Sequence, residues 1–315
     1  MFSGQGSQYY QMGKELYEKH PRFKLWMNHC DNIINPLIGI SLIDVLYNQH
    51  SKSEPFDKIV YTNPALLSIE YSLAKILMEA GIKPDIFLGY SLGELTAAIL
   101  SQGISLEQGL WLSVSFAKLL EQESPPAAML AIMESENIMT QFPALFQGCW
   151  LSGKNFHTNF VVSGLAEPIR QLQLALHKKN IMSQKLAVNY GFHTEIMDPL
   201  AENFKQLTQD LLFSSLRIPI VSSLSCQKIP EINENYLWDV IRYPVEFAKT
   251  IEILLAVDNY TFIDVGPSGT LATLVKYLLP AHSKSFYLET INQYGRDLDS
   301  LNKLMTHFSN QPSFV

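Results

Sequence analysis

Residues 86–94 read Ile-Phe-Leu-Gly-Tyr-Ser-Leu-Gly-Glu, an apolar run that ends in Gly-X-Ser-X-Gly and continues into the apolar segment 95–100. A strand, a tight turn and a helix in this order form a nucleophile elbow, in which the turn lifts a serine hydroxyl off the end of a sheet. Backbone N–H groups at the start of the helix can stabilise an oxyanion. The stretch therefore predicts that Ser91 is a catalytic nucleophile.

The segments around this elbow predict strands that alternate with helices. A mostly apolar, buried helix is expected to begin at Asn63, and residues 261–265 resemble a buried strand. Gly103 is the expected C-cap of the elbow helix. A second helix, with Ser105 as its N-cap, is expected to end before the double proline at 125–126. Strands alternating with helices are typical of a parallel sheet.

Short strands and two helices follow the double proline, and a helical stretch is predicted over 197–211. We therefore predict an α/β fold with a large α/β-hydrolase-like domain, whose sheet is mostly parallel, and an inserted small ferredoxin-like α+β subdomain. The large domain would comprise residues 1–126 and 191–315, and the small one residues 127–190.

Composition excludes several classes of protein. The 315 residues carry 23 Lys and Arg against 30 Asp and Glu, a net charge of -7 without a basic run, which argues against nucleic acid and anionic membranes as partners. Three widely spaced cysteines predict neither a disulfide framework nor a metal site. No apolar stretch is long enough to span a membrane, and no signal peptide is evident. A cytoplasmic protein is expected.

A serine nucleophile needs a general base, and the sequence offers two histidines for this role. His193 lies in Asn189-Tyr190-Gly191-Phe192-His193-Thr194, where the chain returns from the small subdomain to the large one. Alternatively, Ser91, Asp264 and His282 follow the chain order of an α/β-hydrolase triad. Spacing alone does not choose between these arrangements.

Several stretches together resemble the malonyl-CoA:acyl carrier protein transacylase family, which includes the acyltransferase domains of polyketide synthases. They are Phe2-Ser3-Gly4-Gln5-Gly6-Ser7-Gln8, Asn63-Pro64-Ala65-Leu66, Gly89-Tyr90-Ser91-Leu92-Gly93-Glu94, Gly191-Phe192-His193 and Asp264-Val265-Gly266-Pro267, in that order along nearly the whole chain. The resemblance implies a Ser91–His193 dyad, with the carbonyl of Tyr243 orienting the histidine. It also implies an oxyanion hole formed by the backbone N–H groups of Gln5 and Leu92.

Two positions depart from the pattern of the malonyl-loading members. Tyr90 replaces the usual histidine before the serine, and Phe116 stands where an arginine would pair with the malonyl carboxylate. Lys118 lies two residues further along the helix, nearly on the opposite side, and cannot substitute for that arginine. Because an unpaired buried carboxylate is costly whereas an apolar chain gains from contact with phenylalanine, a neutral acyl substrate is expected.

With these two departures, the sequence resembles the free-standing acyl hydrolases of trans-acyltransferase polyketide pathways. The implied function is hydrolysis of acetyl and longer neutral acyl groups from the phosphopantetheine arm of acyl carrier proteins or carrier domains, with no bound cofactor. The implied substrate-binding residues are Tyr90, Phe116, Tyr190, Asn155 and Phe192, and Tyr90 and Tyr190 are candidates for positioning water.

Two other functions stay open at this point. One is an acyl carrier protein S-acyltransferase that moves malonyl or another acyl unit. The other is an inert module that binds carrier proteins without catalysis. Carrier proteins are acidic, so docking should require a local basic patch, for which Lys154, Lys178, Lys179 and Lys185 are candidates.

Overall fold

The computed structural model describes residues 1–309. Within them the strands are β1 Phe87–Gly89, β2 Ala127–Ile132, β3 Cys149–Phe156, β4 Asn159–Leu165, β5 Ser183–Lys185, β6 Ile220–Ser222, β7 Thr261–Asp264 and β8 Phe286–Glu289. The α-helices are α1 Lys14–Lys19, α2 Pro21–Ile38, α3 Leu42–Tyr47, α4 Ile59–Glu79, α5 Gly93–Leu100, α6 Leu106–Glu123, α7 Ile138–Gln141, α8 Ala166–Lys178, α9 Ala201–Thr208, α10 Glu234–Arg242, α11 Phe247–Val257, α12 Thr270–Leu278 and α13 Asp297–Ser309. Two 3-10 helices span Pro143–Phe146 and Glu195–Leu200.

The parallel strands of the large domain are joined by the first residues of the chain. β1 pairs in parallel with β6, and β7 pairs in parallel with β8. Phe2 forms a parallel bridge with Gly89 on one side, and the Val265 N–H donates to the Met1 carbonyl on the other. Met1 and Phe2 therefore link the β1–β6 pair to the β7–β8 pair and fix the relative position of the two pairs. The predicted α/β fold is confirmed.

The small subdomain is an antiparallel sheet with its own apolar core. Its strands lie in the order β3-β4-β2-β5. Leu130 and Val162 on the sheet pack with Leu172 and Leu176 of α8, and all four are fully buried or nearly so. The sheet is attached to the large domain by β3, because the Lys154 N–H donates to the Val245 carbonyl.

Helices α4, α5 and α6 pack together beside the first part of the sheet and contribute many of the buried residues of the large core. α4 is buried along most of its length, as its apolar sequence predicts, but it begins at Ile59 rather than Asn63. Pro64 therefore lies inside the helix rather than in its first turn. α6 begins after Ser105, whose hydroxyl accepts the Gln108 N–H as an N-cap.

Local structure differs from the prediction in two places, at the end of α5 and around α9. The left-handed residue after α5 is Gln102, with φ of 64°, and Gly103 is the residue after it, whose N–H donates to Ala98. The helical stretch predicted over 197–211 consists of the 3-10 helix Glu195–Leu200 and α9, and it ends at Thr208. Pro199 explains the interruption, since it lacks the N–H that a continuous α-helix would use.

Two C-terminal elements, β8 and α13, were not predicted from the sequence. β8 has only four residues, three half-buried and one exposed, so it lacks the alternation that marks a strand. None of the helices in residues 1–309 combines the length and the apolar character needed to cross a bilayer.

Candidate active site

Ser91 occupies a sharp turn between β1 and α5, as the elbow motif predicts. Its φ of 54° is in the left-handed region, which costs energy for any residue with a side chain. The flanking glycines are needed for space: a Cβ on Gly93 would lie 2.1 Å from the Phe2 carbonyl oxygen, and one on Gly89 would lie 2.3 Å from the Glu94 nitrogen. The close packing of the turn on the first residues of the chain thus holds Ser91 at the end of the sheet.

The hydroxyl of Ser91 meets the ring of His193. Ser91 Oγ lies 2.8 Å from His193 Nε2, and His193 Nδ1 lies 2.9 Å from the carbonyl oxygen of Tyr243. A carbonyl only accepts hydrogen bonds, so Nδ1 must carry the ring proton when the histidine is neutral. Nε2 is then an acceptor, which is the state needed to take the proton of the serine.

His193 is held rigidly and kept neutral. Its side chain is buried, with the residue 3% exposed. Its backbone N–H donates to the Ile241 carbonyl, and its φ is 64°. Burial lowers its pKa to about 4, although the hydrogen bond to the Tyr243 carbonyl acts in the opposite direction. At neutral pH the imidazole is therefore available as a base.

The alternative triad is not assembled. The carboxylate of Asp264 accepts the N–H groups of Gly266 and Ala272, which makes it a structural residue at the end of β7. His282 is exposed. The histidine that contacts Ser91 is His193, and its orienting partner is a backbone carbonyl.

Two backbone N–H groups beside Ser91 are available for an oxyanion. Within residues 1–309, neither the Gln5 N–H nor the Leu92 N–H has a hydrogen-bond partner. Leu92 precedes the first turn of α5, where the helix dipole favours negative charge. The Gln5 side chain is fixed by Thr62 and Asn63, with its Nε2 3.0 Å from Thr62 Oγ1. Both residues line the same cavity as Ser91.

This cavity of about 60 Å³ is mostly apolar and lies between α6, α9 and α10. Phe116 and Phe192, both predicted to bind substrate, form part of its wall. The other lining residues are Gln5, Asn63, Ser91, Leu92, Leu95, Leu112, Ser113, Phe204, Leu237, Val240 and Ile241, so no Lys or Arg of the described chain contributes to it. Lys118 is exposed and its Nζ donates to the Leu37 carbonyl, away from the cavity.

The remaining predicted substrate-binding residues do not line the cavity. Tyr90 donates its hydroxyl to Asn155 Oδ1 at 2.8 Å, and Asn155 in turn donates to Asn159 at 2.6 Å. Tyr90 and Asn155 therefore connect the elbow to the small subdomain instead of contacting an acyl group in this cavity. Tyr190 packs near Phe192, with ring centroids 5.9 Å apart, and burial raises its pKa to about 12.

Sequence reasoning missed the residues that complete the cavity wall. Phe204 comes from α9, and Leu237, Val240 and Ile241 come from α10. The spacing of the three α10 residues predicts an amphipathic helix with a buried face. Periodicity does not distinguish a face that packs on the core from a face that borders a cavity.

One of the predicted docking lysines is already paired. Lys154 Nζ lies 3.1 Å from Glu136 and 3.6 Å from Glu246. Lys178, Lys179 and Lys185 are exposed on the small subdomain, and Lys179 lies over the ring of Phe142.

Comparison with known proteins identifies relatives over nearly the whole chain. The family model described as acyl transferase domain matches residues 1–310. The polyketide biosynthesis acyltransferase homolog PksD of Bacillus subtilis is 38% identical over 303 residues, which cover 96% of this chain and 94% of that protein. The homolog BaeD of Bacillus velezensis is 35% identical over 284 residues, 90% of this chain and 88% of that protein.

Solved structures share the fold. A loading acyltransferase from the avermectin modular polyketide synthase matches with a TM-score of 0.90 and 22% identity, over 98% of both chains. The MCAT of Streptococcus pneumoniae matches with a TM-score of 0.79 and 22% identity, over 97% of this chain and 98% of that one.

Proposed function

The chain belongs to the acyl transferase domain family, and we propose that it is an acyl hydrolase that clears neutral acyl groups from carrier proteins in polyketide biosynthesis. The substrate would be an acetyl or longer acyl thioester on the phosphopantetheine arm of an acyl carrier protein or carrier domain. No resident cofactor is part of the proposal. The relatives named for polyketide biosynthesis support the pathway.

The observation that carries this proposal is the wall of the cavity beside Ser91, in which Phe116 occupies the position implied for a carboxylate-binding arginine. An unpaired carboxylate buried there would cost several kcal/mol, a factor on the order of one hundred or more in selectivity. A neutral chain would gain about 0.8 kcal/mol for each buried methylene. The cavity thus favours neutral acyl groups over malonyl.

The first half-reaction follows from the dyad. Ser91 Oγ attacks the thioester carbonyl as His193 Nε2 takes its proton, and the Gln5 and Leu92 N–H groups stabilise the oxyanion. Collapse of the tetrahedral intermediate breaks the C–S bond, and His193 returns the proton to the departing thiol. This leaves an acyl group on Ser91 and a free phosphopantetheine arm.

Water completes the proposed cycle. His193 Nε2 removes a proton from water as it attacks the acyl-Ser91 ester, the oxyanion forms in the same hole, and the acid leaves as Ser91 regains its proton. In the runner-up function, a thiol of a second carrier replaces water. The names of PksD and BaeD as acyltransferase homologs favour that alternative.

Acyl-loaded carrier proteins distinguish the two functions. Purified protein is incubated with acetyl-carrier and malonyl-carrier in separate reactions, and intact-protein mass spectrometry follows the loss of acyl groups, with Ser91→Ala as the control. We expect free acetate and loss of malonyl that is slower by a factor on the order of one hundred. Faster reaction with malonyl, or transfer to an added unloaded carrier in preference to release of acid, would contradict the hydrolase.

The proposal includes action in the cytoplasm. Cys30, Cys149 and Cys226 are buried free thiols, which fits a reducing compartment.

A further inference from the structure

A carboxylate with no part in the Ser91–His193 pair is buried in the middle of α4. Glu70 is fully buried, and its partners are a backbone N–H and two hydroxyls. Its Oε1 accepts the N–H of Ser3 at 2.5 Å and the hydroxyl of Ser3 at 2.8 Å, and its Oε2 accepts the hydroxyl of Thr96 at 2.9 Å. Burial acts to raise its pKa, whereas the hydrogen bonds that it accepts act to lower the pKa. A group held at such cost calls for a physical explanation.

The two oxygens hold two different segments of the site. Ser3 lies two residues before Gln5 in the same loop, and Thr96 lies one turn after Leu92 on α5. Oε1 therefore holds the loop that presents the Gln5 N–H. Oε2 holds the helix whose N-terminus presents the Leu92 N–H. One carboxylate thus connects the supports of both amides.

The loop has little freedom to move against the elbow. A Cβ on Gly4 would lie 2.7 Å from the Tyr90 carbonyl oxygen and 3.1 Å from Ser91 Cβ. Within the loop, Ser7 donates its hydroxyl to the Gly4 carbonyl at 2.8 Å, and its oxygen lies 2.8 Å from Ser3 Oγ. A shift of Ser3 would therefore be passed on to Gln5.

The spacing of the two amides matters for chemistry, because each donor must lie about 2.7–3.1 Å from the position that the oxyanion will occupy. We propose that Glu70 is a positioning residue that sets the spacing of the Gln5 and Leu92 amides by holding Ser3 with one oxygen and Thr96 with the other. The inference rests on the proposed function, since it needs an oxyanion at Ser91.

A purely structural role for Glu70 makes a different prediction. Loss of a buried hydrogen bond that only stabilises the fold lowers the melting temperature and leaves kcat of the folded enzyme almost unchanged. A positioning role lowers kcat more than it changes KM, because the oxyanion is present only in the transition state. The two roles are therefore separable by steady-state kinetics.

Single substitutions in the full chain test each contact with an acetyl-pantetheine thioester as substrate. Thr96→Val and Ser3→Ala each remove one hydroxyl donor and should lower kcat about 5- to 20-fold, with KM within about twofold. Glu70→Leu should lower kcat by about 100-fold, and Glu70→Gln, which keeps an acceptor for Ser3, should recover most of that loss. Ser68→Ala is the matched control, since Ser68 is equally buried on α4 and its hydroxyl bonds the Pro64 carbonyl and the Cys30 thiol rather than Glu70.

Reaction of Ser91 with a fluorophosphonate gives a second readout that does not depend on the acyl group. The same variants should slow labelling in the same order, and Ser68→Ala should not. Equal kcat and labelling rates for Thr96→Val, Ser3→Ala and the parent protein would overturn the inference even if Glu70→Leu fails to fold.

A wrong proposed function would show in the acyl substrate or the acceptor that the unmodified protein prefers. The ratio of variant to parent labelling rates would still test the role of Glu70. A parent protein that reacts with neither thioester nor fluorophosphonate would contradict both.

Discussion

The ring of Phe116 meets the ring of Phe204 edge to face on the wall of the cavity beside Ser91, with centroids 5.2 Å apart and an angle of 82° between the planes. This geometry is favourable for two aromatic rings and leaves an apolar surface toward the cavity. It joins α6 to α9 at the place where an acyl chain would lie.

Substitution of Phe116 should change acyl selectivity. In Phe116→Arg, a guanidinium beside Ser91 would pair with a malonyl carboxylate, so we expect the ratio of malonyl to acetyl turnover to rise at least 100-fold. The unliganded variant should melt at a lower temperature because its buried charge lacks a partner. Phe116→Met, which is neutral and flexible, is the matched control and should keep the preference for acetyl. An unchanged ratio in Phe116→Arg would contradict the assignment of this wall.

The base should be His193 and not His282. Because His193 Nε2 lies 2.8 Å from Ser91 Oγ, His193→Ala should lower kcat by at least about 1,000-fold. His282 is exposed, so His282→Ala should leave kcat within about twofold. Rates of acetyl thioester cleavage, together with melting curves, check both. Loss of activity only in His282→Ala would contradict the dyad.

As the pH is lowered, kcat/KM should fall only at a pH well below the pKa of free imidazole. Protonation of His193 removes the base, and burial places its pKa at about 4 in the folded protein. With an uncharged thioester, kcat/KM should be flat from about pH 5.5 to 8 and fall only below about pH 5. A limb centred near pH 6.5, the value of free imidazole, would contradict this.

The lowered pKa of His193 also makes the folded protein less stable in acid, and this affects how the dependence of kcat/KM on pH is measured. The folded pKa lies below the unfolded one, so the contribution of His193 to stability is complete above pH 6.5 and is lost as the pH falls toward 4. Initial rates after a short exposure to acid, with recovery of activity at pH 7 as the control, separate protonation of the base from unfolding.

Tyr90 should matter more for stability than for chemistry. Tyr90→Phe leaves the buried Asn155 oxygen without its donor, so we expect a loss of about 1–3 kcal/mol in the free energy of unfolding. Because the Tyr90 ring does not line the cavity, kcat should stay within about threefold. Tyr277→Phe, at a residue that is 60% exposed, is the control for denaturant titrations and should change little. A large drop in kcat for Tyr90→Phe at unchanged stability would place its hydroxyl in the reaction.

The elbow could be predicted from sequence because its determinants are local: two glycines, a short apolar strand and an apolar helix within fifteen residues. The partners of Tyr90 and Glu70 could not, because Asn155 lies 65 residues from Tyr90 and Ser3 lies 67 residues from Glu70. Such contacts depend on how α4 and β3 are placed in the fold. Periodicity indicated that α4 is buried, but it could not indicate which loop its one buried carboxylate would meet.

The left-handed backbones of Ser91 and His193 have an evolutionary consequence. Each costs on the order of 1–2 kcal/mol compared with an ordinary conformation, against a total stability for a typical protein of about 5–15 kcal/mol. Selection for resistance to heat alone would favour glycine or a relaxed turn at these positions; glycine would remove the hydroxyl or the imidazole, and a relaxed turn would displace it. Persistence of both residues in a lineage is therefore a sign that turnover, and not mere durability of the fold, is under selection.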